Sequence, residues 1–282
     1  MLGKHIPELC DLSAQSVPRL RRYRRSLSQR SIIIPATYDY RLVALSVLIA
    51  ICASYAALDL AGRVTAARKN ARLAWLLGGA ISMGTGIWSM HYTGMLAYRL
   101  PVPVHYHIPT VVLSLVAAIC ASFIALFVIS REHINALHVV AGSLLMAVGI
   151  VSMHYTGMAA MRLPAMHEYD RVLVMVSVVI AVLVSFAALA LTFLFRDEKP
   201  GIMLKVGCSV AMGFAIPAMH YTAMGAVTFM PANTPPDLTY ALDISTLANA
   251  AIIILTFVLL GSVVLLRWWA APSARNIAIS RA

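Results

Sequence analysis

Charge is what this chain lacks most: of its 282 residues only 12% are Asp, Glu, Lys or Arg, about half the share found in soluble domains. With 61% hydrophobic residues and a mean hydropathy of +0.83, it has the composition of a protein surrounded by lipid. Cysteine is sparse as well. Cys10, Cys52, Cys120 and Cys208 form no C-x-x-C pair, which argues against a disulfide framework and against a zinc site. Residues 1–37 contain no apolar run long enough to insert; Ile32 to Ile34 stop at Pro35, so a cleavable signal peptide is not expected and the first span should be an uncleaved anchor. This stretch carries Lys4, Arg19, Arg21, Arg22, Arg24, Arg25 and Arg30 against Glu8 and Asp11, and reads as a basic, poorly ordered tail. Catalytic signatures are missing too: no Ser-His-Asp order, phosphate loop or carboxylate pair is present, so the chain is not expected to be an enzyme. The net charge of +11 would suit nucleic acid, but no soluble segment exists to present it; basic flanks beside apolar spans suit anionic lipid.

What the chain has in abundance is long apolar runs. A helix needs roughly 20 mainly apolar residues to cross a bilayer, and seven stretches qualify: 41–61, 73–98, 109–130, 138–161, 172–195, 203–228 and 246–269. The expected fold is an all-α polytopic membrane protein with seven transmembrane helices. It divides into the tail 1–37, a membrane domain 38–269 and a short C-terminal tail 270–282, too short to fold alone. The connectors after spans one, three and five hold Arg63, Arg68, Lys69, Arg72, Arg131, Arg196, Lys199 and Lys205, whereas those after two, four and six hold only Arg99, Arg162 and Arg171. This bias places the odd connectors and the C-terminus in the cytoplasm. The basic tail would then lie outside, against the same rule.

Spans two, four and six repeat one template. Met83 to Met95 reads MGTGIWSMHYTGM, Met146 to Met158 reads MAVGIVSMHYTGM, and Met212 to Met224 reads MGFAIPAMHYTAM. The common pattern is M-x6-MHYT-x-M. The spacing between copies is that of a two-helix hairpin, so three hairpin repeats run parallel, with a seventh helix left over and pseudo-threefold symmetry about the membrane normal expected.

An ionisable side chain inside a span is costly unless paired or set in a cavity, which makes His91, His154 and His220 functional candidates at one depth. At about 100° per residue, each histidine shares a helix face with the methionine four positions on: Met95, Met158 or Met224. Met90, Met153 and Met219 lie on an adjacent stripe. Imidazole with thioether is a soft donor set that favours copper, Cu(I) above all, over magnesium, calcium or manganese. Tyr92, Tyr155, Tyr221, Thr93, Thr156 and Thr222 are placed to hydrogen-bond behind the imidazoles and fix their tautomers. A structural reading competes with this one, because Met is a common core filler and a single membrane histidine bonded to a neighbouring helix is ordinary. Three identical tetrapeptides in otherwise divergent helices favour the metal, since packing tolerates Leu for Met and Phe for Tyr.

These motifs, with Tyr38-Asp39 and Ala53-Ser54-Tyr55-Ala56-Ala57-Leu58-Asp59-Leu60 of the first span, resemble the MHYT family of bacterial membrane sensor domains over about residues 38 to 269. The resemblance implies seven spans in the inner membrane, motifs toward the periplasmic face, and sensing of oxygen, carbon monoxide or nitric oxide through copper held by Met90, His91, Tyr92, Thr93, Met153, His154, Tyr155, Thr156, Met219, His220, Tyr221 and Thr222. The third copy departs from the pattern with Ala218, Ala223 and an in-helix Pro217, which makes its geometry distinct. Many members of the family continue into a signalling enzyme. Here the signal is expected to reach a separate cytoplasmic partner. Copper transport or delivery, and a haem-binding redox protein using His and Met as axial ligands, are the competing functions.

Other residues receive plainer readings. His105, His107 and His167 lie in the connectors on the motif side and read as interfacial, with metal capture as the alternative. Asp59 and Arg63 are spaced for an intrahelical ion pair. His133 and His138 read as interfacial at the opposite end.

Overall fold

The computed structural model describes residues 33–67, 69–131, 135–195, 201–232, 234–258 and 261. Six helices are long and apolar enough to cross a membrane: α1 (Tyr40–Ala66), α2 (Lys69–Ala97), α3 (Ile108–Ile129), α4 (Ala136–Ala159), α5 (Arg171–Phe195) and α6 (Ile202–Gly225). A shorter apolar helix, α7 (Ile244–Val258), begins the seventh expected span. The rest of that span, apart from Gly261, lies outside the described residues, as do residues 1–32, His133 and the 270–282 tail.

The six long helices form a closed ring in which each packs on the next and α6 returns to α1. The ring is apolar outside, and its interior mixes an apolar core with buried polar side chains. Val112, Leu113, Val116, Val179, Leu183, Phe186 and Phe214 point outward, while Ser46, Ser89, Ser114, Ser122, Ser177 and the motif histidines are buried. Lipid rewards the first arrangement and forbids exposing the second. Without a hydrophobic drive between helices in lipid, close backbone approach is what holds them, and small residues permit it. A Cβ on Gly84 of α2 would stand 2.6 Å from the Ile119 backbone of α3; one on Gly213 of α6 would stand 2.6 Å from that of Ile51 of α1. The two glycines occupy equivalent positions in repeats one and three.

Short antiparallel strands close the motif end of the ring, a feature the polar connectors did not reveal. They are β1 (Thr37–Tyr38), β2 (Tyr98–Arg99), β3 (His105–His107), β4 (Met161–Arg162), β5 (Ala165–Tyr169), β6 (Val227–Pro231) and β7 (Ala241–Asp243). β1 pairs with β2, β3 with β4, and β5 with β6, so each strand leading into an odd helix pairs with the one leaving the following even helix. The same join recurs in the backbone bonds from Asp39 N–H to Ala97 O, His107 N–H to Ala160 O and Asp170 N–H to Ala226 O, at 2.8–2.9 Å. β7, which leads into α7, adds to β3. The end of the expected tail is part of this cap. Ile34 donates its N–H to Phe229 O at 2.8 Å and Thr37 lies in β1.

At the opposite end, Asp59 of α1 accepts from Arg63 at 3.0 Å, as its spacing predicts, and from Lys205 of α6 at 2.5 Å, which the sequence did not reveal. Arg72 of α2 donates to the carbonyl of Ser130 at the end of α3. His138 completes a capping box with Asn135 at the start of α4.

Candidate metal centre

Each even helix delivers one histidine to the centre of the ring. Two features of the local sequence make this possible: the motif lies on the buried face of a helix that approaches its neighbours through small residues, and parallel repeats place the three copies at one depth. His91 and His154 are fully buried and His220 is 1% exposed. Their Nδ1 atoms form a nearly equilateral triangle: 3.1 Å from His91 to His220, 3.3 Å from His91 to His154 and 3.2 Å from His154 to His220. The rings stand like propeller blades, with centroids 5.0–5.1 Å apart and planes 81–87° to one another. Among the described residues these three make up the one group of three or more His, Cys, Asp or Glu side chains able to hold a metal ion together.

Hydrogen bonding cannot explain such a triangle. A neutral imidazole nitrogen carries either a proton or a lone pair, never both. Three nitrogens in mutual contact therefore always leave at least one pair of like functions facing each other. A cation that accepts three lone pairs removes the conflict. An imidazole nitrogen stands about 2 Å from a first-row metal, so three such bonds at tetrahedral angles separate their nitrogens by about 3.3 Å. The observed edges match that length. Ligation through Nδ1 puts the remaining proton on Nε2, and the three Nε2 atoms are buried without a partner. Space for them comes from small residues of the motif: a Cβ on Gly157 would lie 2.4 Å from Nε2 of His91, and one on Gly94 would lie 2.6 Å from Nε2 of His220.

The motif tyrosines do not play the part expected of them. Among the described residues no hydrogen bond joins Tyr92, Tyr155 or Tyr221 to an imidazole. Their hydroxyls pair instead with serines of the following odd helix around the ring: Tyr92 with Ser114 at 3.3 Å, Tyr155 with Ser177 at 2.9 Å and Tyr221 with Ser46 at 2.8 Å. The physical reason is direction, since each ring turns away from the axis and meets its own histidine edge to face at 4.8–4.9 Å. Each also packs against a second tyrosine at 5.6–5.8 Å: Tyr106, Tyr169 and Tyr38 respectively. Among the described residues no hydrogen bond joins Thr93 or Thr222 to an imidazole either. Thr93 Oγ1 is buried without a partner, and Thr222 bonds back to Ala218 O.

This belt was missed in the sequence although a signal for it was present. Tyr38 and Ser46, Tyr106 and Ser114, and Tyr169 and Ser177 are each eight residues apart at the start of an odd helix. The odd helices are therefore repeats as well, with a fainter mark.

The six motif methionines, Met90, Met95, Met153, Met158, Met219 and Met224, are all buried in the same core. Met95 also lines a crevice of about 280 Å³ at the motif end, together with Arg99, Tyr106, Met161 and Ile244. His105, His107 and His167 stay apart from the trio: they lie in β3 and β5, where His107 bonds Thr110 at 2.8 Å and His167 packs on Tyr169.

The profile of the MHYT family, described as the N-terminal repeat of bacterial signalling proteins, matches residues 29–74, 84–142 and 148–204. Among curated proteins the chain is 45% identical over 195 residues to the bifunctional diguanylate cyclase/cyclic di-GMP phosphodiesterase MucR of Pseudomonas aeruginosa, covering 69% of this chain and 28% of that one. It is 37% identical over 206 residues to the signaling protein YkoW of Bacillus subtilis (72% and 26%). To the cyclic di-GMP phosphodiesterase NbdA of Pseudomonas aeruginosa it is 36% identical over 243 residues (85% and 30%). The chain thus spans less than a third of the length of these relatives. No solved structure matches it. With three consecutive repeats matched over more than half its length, the chain belongs to the MHYT family of bacterial signalling proteins.

Proposed function

We propose that this chain is a membrane sensor that holds copper between His91, His154 and His220 and responds to a diatomic gas or to redox state. The observation that carries the reading is the Nδ1 triangle, whose 3.1–3.3 Å edges are those of a metal's ligand shell and which no assignment of protons satisfies. The methionines packed in the same core favour copper over harder ions. Copper held by these three imidazoles would supply a centre able to bind oxygen, carbon monoxide or nitric oxide.

The protein's own part is to hold three imidazoles and to report their spacing. A change in that spacing moves α2, α4 and α6 relative to one another, and the Tyr–Ser pairs hand the movement to α3, α5 and α1. Only a ligand that binds two arrangements with different affinity can drive such a change. We place the protein in the bacterial inner membrane with seven spans, the trio toward the periplasm and the Asp59–Lys205 end in the cytoplasm, following the excess of Lys and Arg there. Two relatives are named for cyclic di-GMP chemistry, and the matched part of each is read as its sensing input. We assign this domain no catalytic step; its output goes to a cytoplasmic signalling partner.

Copper content and the absorption spectrum of the purified protein test the reading, repeated with His91, His154 and His220 each changed to Ala. The expected result is one nitrogen-ligated copper in the wild type and its loss in each variant. Unchanged copper in all three variants, or zinc in its place, would defeat the assignment.

The two competing functions fit less well. A haem between axial ligands needs nitrogens about 4 Å apart on opposite faces of the macrocycle, whereas these meet at 3.3 Å or less. Transport needs a continuous polar path to both faces, and the side chains buried beyond the histidines, Ile87, Ile150 and Ile216 and then Met83, Met146 and Met212, are apolar. Reconstituted vesicles should therefore take up no copper.

A further inference from the structure

The three repeats share a second set of residues that the imidazole trio does not use. Met83, Met146 and Met212 open the template eight residues before His91, His154 and His220, about 12 Å farther along the helices. They are 8%, 1% and 6% exposed. All three line one small cavity of about 10 Å³, bounded toward the histidines by Ile87 and Ile216. As in the imidazole trio, each of α2, α4 and α6 contributes one side chain. Packing alone does not demand this identity, because Leu fills a buried Met position at little cost, yet all three copies carry Met.

A second observation points to an occupant. The one polar side chain in the cavity wall is Ser54 of α1, 3% exposed, whose Oγ has no hydrogen-bond partner. Buried hydroxyls without partners are rare and call for an explanation. A cavity of this size has room for about one water-sized particle.

We propose that Met83, Met146 and Met212 form a second, sulfur-only site for a soft monovalent cation, copper(I). Thioethers are soft donors that select Cu(I) and reject magnesium and calcium. The methionine side chain has three rotatable bonds, which lets the sulfurs close on an ion without moving the helices. Ser54 adds a hydroxyl oxygen to the wall of the same cavity. The proposal rests on the copper reading of the histidines only for the metal's identity; its ligands and depth are separate.

The test is an anaerobic titration of the full chain, purified in detergent, with Cu(I) alone, followed by stoichiometry and X-ray absorption at the copper edge. The expected wild type binds two Cu(I), one in a nitrogen shell and one in a sulfur shell. Changing Met83, Met146 and Met212 together to Leu conserves volume and should remove one equivalent and the sulfur shell while leaving the nitrogen shell. Met146→Leu alone, the mildest change, should weaken the sulfur site at least tenfold and guards against a fold defect in the triple variant. Changing the three histidines to Ala should do the reverse and keep the sulfur-ligated ion. A wild type with a single nitrogen-ligated copper, or a triple Leu variant that keeps both ions and the sulfur shell, overturns the methionine site and leaves the histidine site standing. Loss of neither ion in the histidine variants overturns the histidine site instead.

Discussion

Ser89 of α2 donates its hydroxyl to the backbone carbonyl of Ala251 in α7, at 3.0 Å, two residues before His91. Both residues are fully buried, so the helix outside the six-membered ring is fastened beside one of the three histidines. The third copy of the motif carries Ala218 where the first has Ser89. Changing Ser89 to Ala should leave copper content unchanged and cost about 1 kcal/mol, the worth of one buried hydrogen bond. Hydrogen exchange should then speed up in residues 247–255 of α7 more than elsewhere. Uniform protection across α7 would show that the contact carries no coupling.

Gly157 lies against the imidazole of His91, with no room for another carbon. Gly157→Ala would bring Cβ to 2.4 Å from Nε2 and force the ring out of the triangle. No ligand is lost, so the effect belongs to positioning, for which about 10- to 100-fold in metal affinity is usual. Ala223→Gly, at the same template position in the third copy, should change copper affinity little. A competition titration with a chromophoric Cu(I) chelator measures both, and equal affinities in wild type and Gly157→Ala would count against a metal on the triangle.

The histidines were legible in the sequence because an ionisable group in an apolar run stands out by its cost, and because Met-His-Tyr-Thr recurs at a spacing that only parallel hairpins satisfy. The second role given to Tyr92, Tyr155 and Tyr221 was not legible. Neighbours in sequence at one helix turn do not reveal which way a ring points, and these point across to Ser114, Ser177 and Ser46. The odd helices hid their repeat because Tyr and Ser eight residues apart, in runs of Val and Leu, look like ordinary span residues. The strands at the motif end also escaped notice. Two- and three-residue pairings depend on where helix ends are brought in space, and β1 through β4 carry no alternation long enough to read. Lys205 reached Asp59 for the same reason, through ring closure between α1 and α6 rather than through sequence proximity.

If the tyrosines are braces between helices, their hydroxyls should matter for stability and not for metal. Tyr155→Phe leaves Ser177 still bonded to Val174 O at 2.7 Å, so no orphan is created and the cost should be at most about 1 kcal/mol. A cycle with Ser177→Ala should show coupling between the two changes, since they share one bond. Copper content should stay at the wild-type level even with Tyr92, Tyr155 and Tyr221 all changed to Phe. Loss of copper in that triple variant would restore the tyrosines to the ligand shell.

The cap at the motif end should respond to acid through Asp39. Its carboxylate joins β1 to β2 by accepting from Arg99 at 3.0 Å, and it caps α1 through the Arg41 N–H at 3.1 Å. The hydrogen bond from Arg99, aided by that from Arg41, holds the carboxyl below the usual carboxylate range. A pKa depressed by folding means that the native state binds its proton later than the unfolded chain does. The contribution is therefore complete above about pH 4, the unfolded value, and is lost as pH falls through the lower folded value. Asp39→Asn keeps a capping side chain and removes the charge, so wild type and variant should differ most near neutral pH and converge below pH 4. The gap should narrow with salt, because the pair is exposed and screened. Thermal unfolding in detergent at low ionic strength, followed from pH 3 to 7, checks this; a gap that widens on acidification would reverse the sign and reject Asp39 as the group responsible.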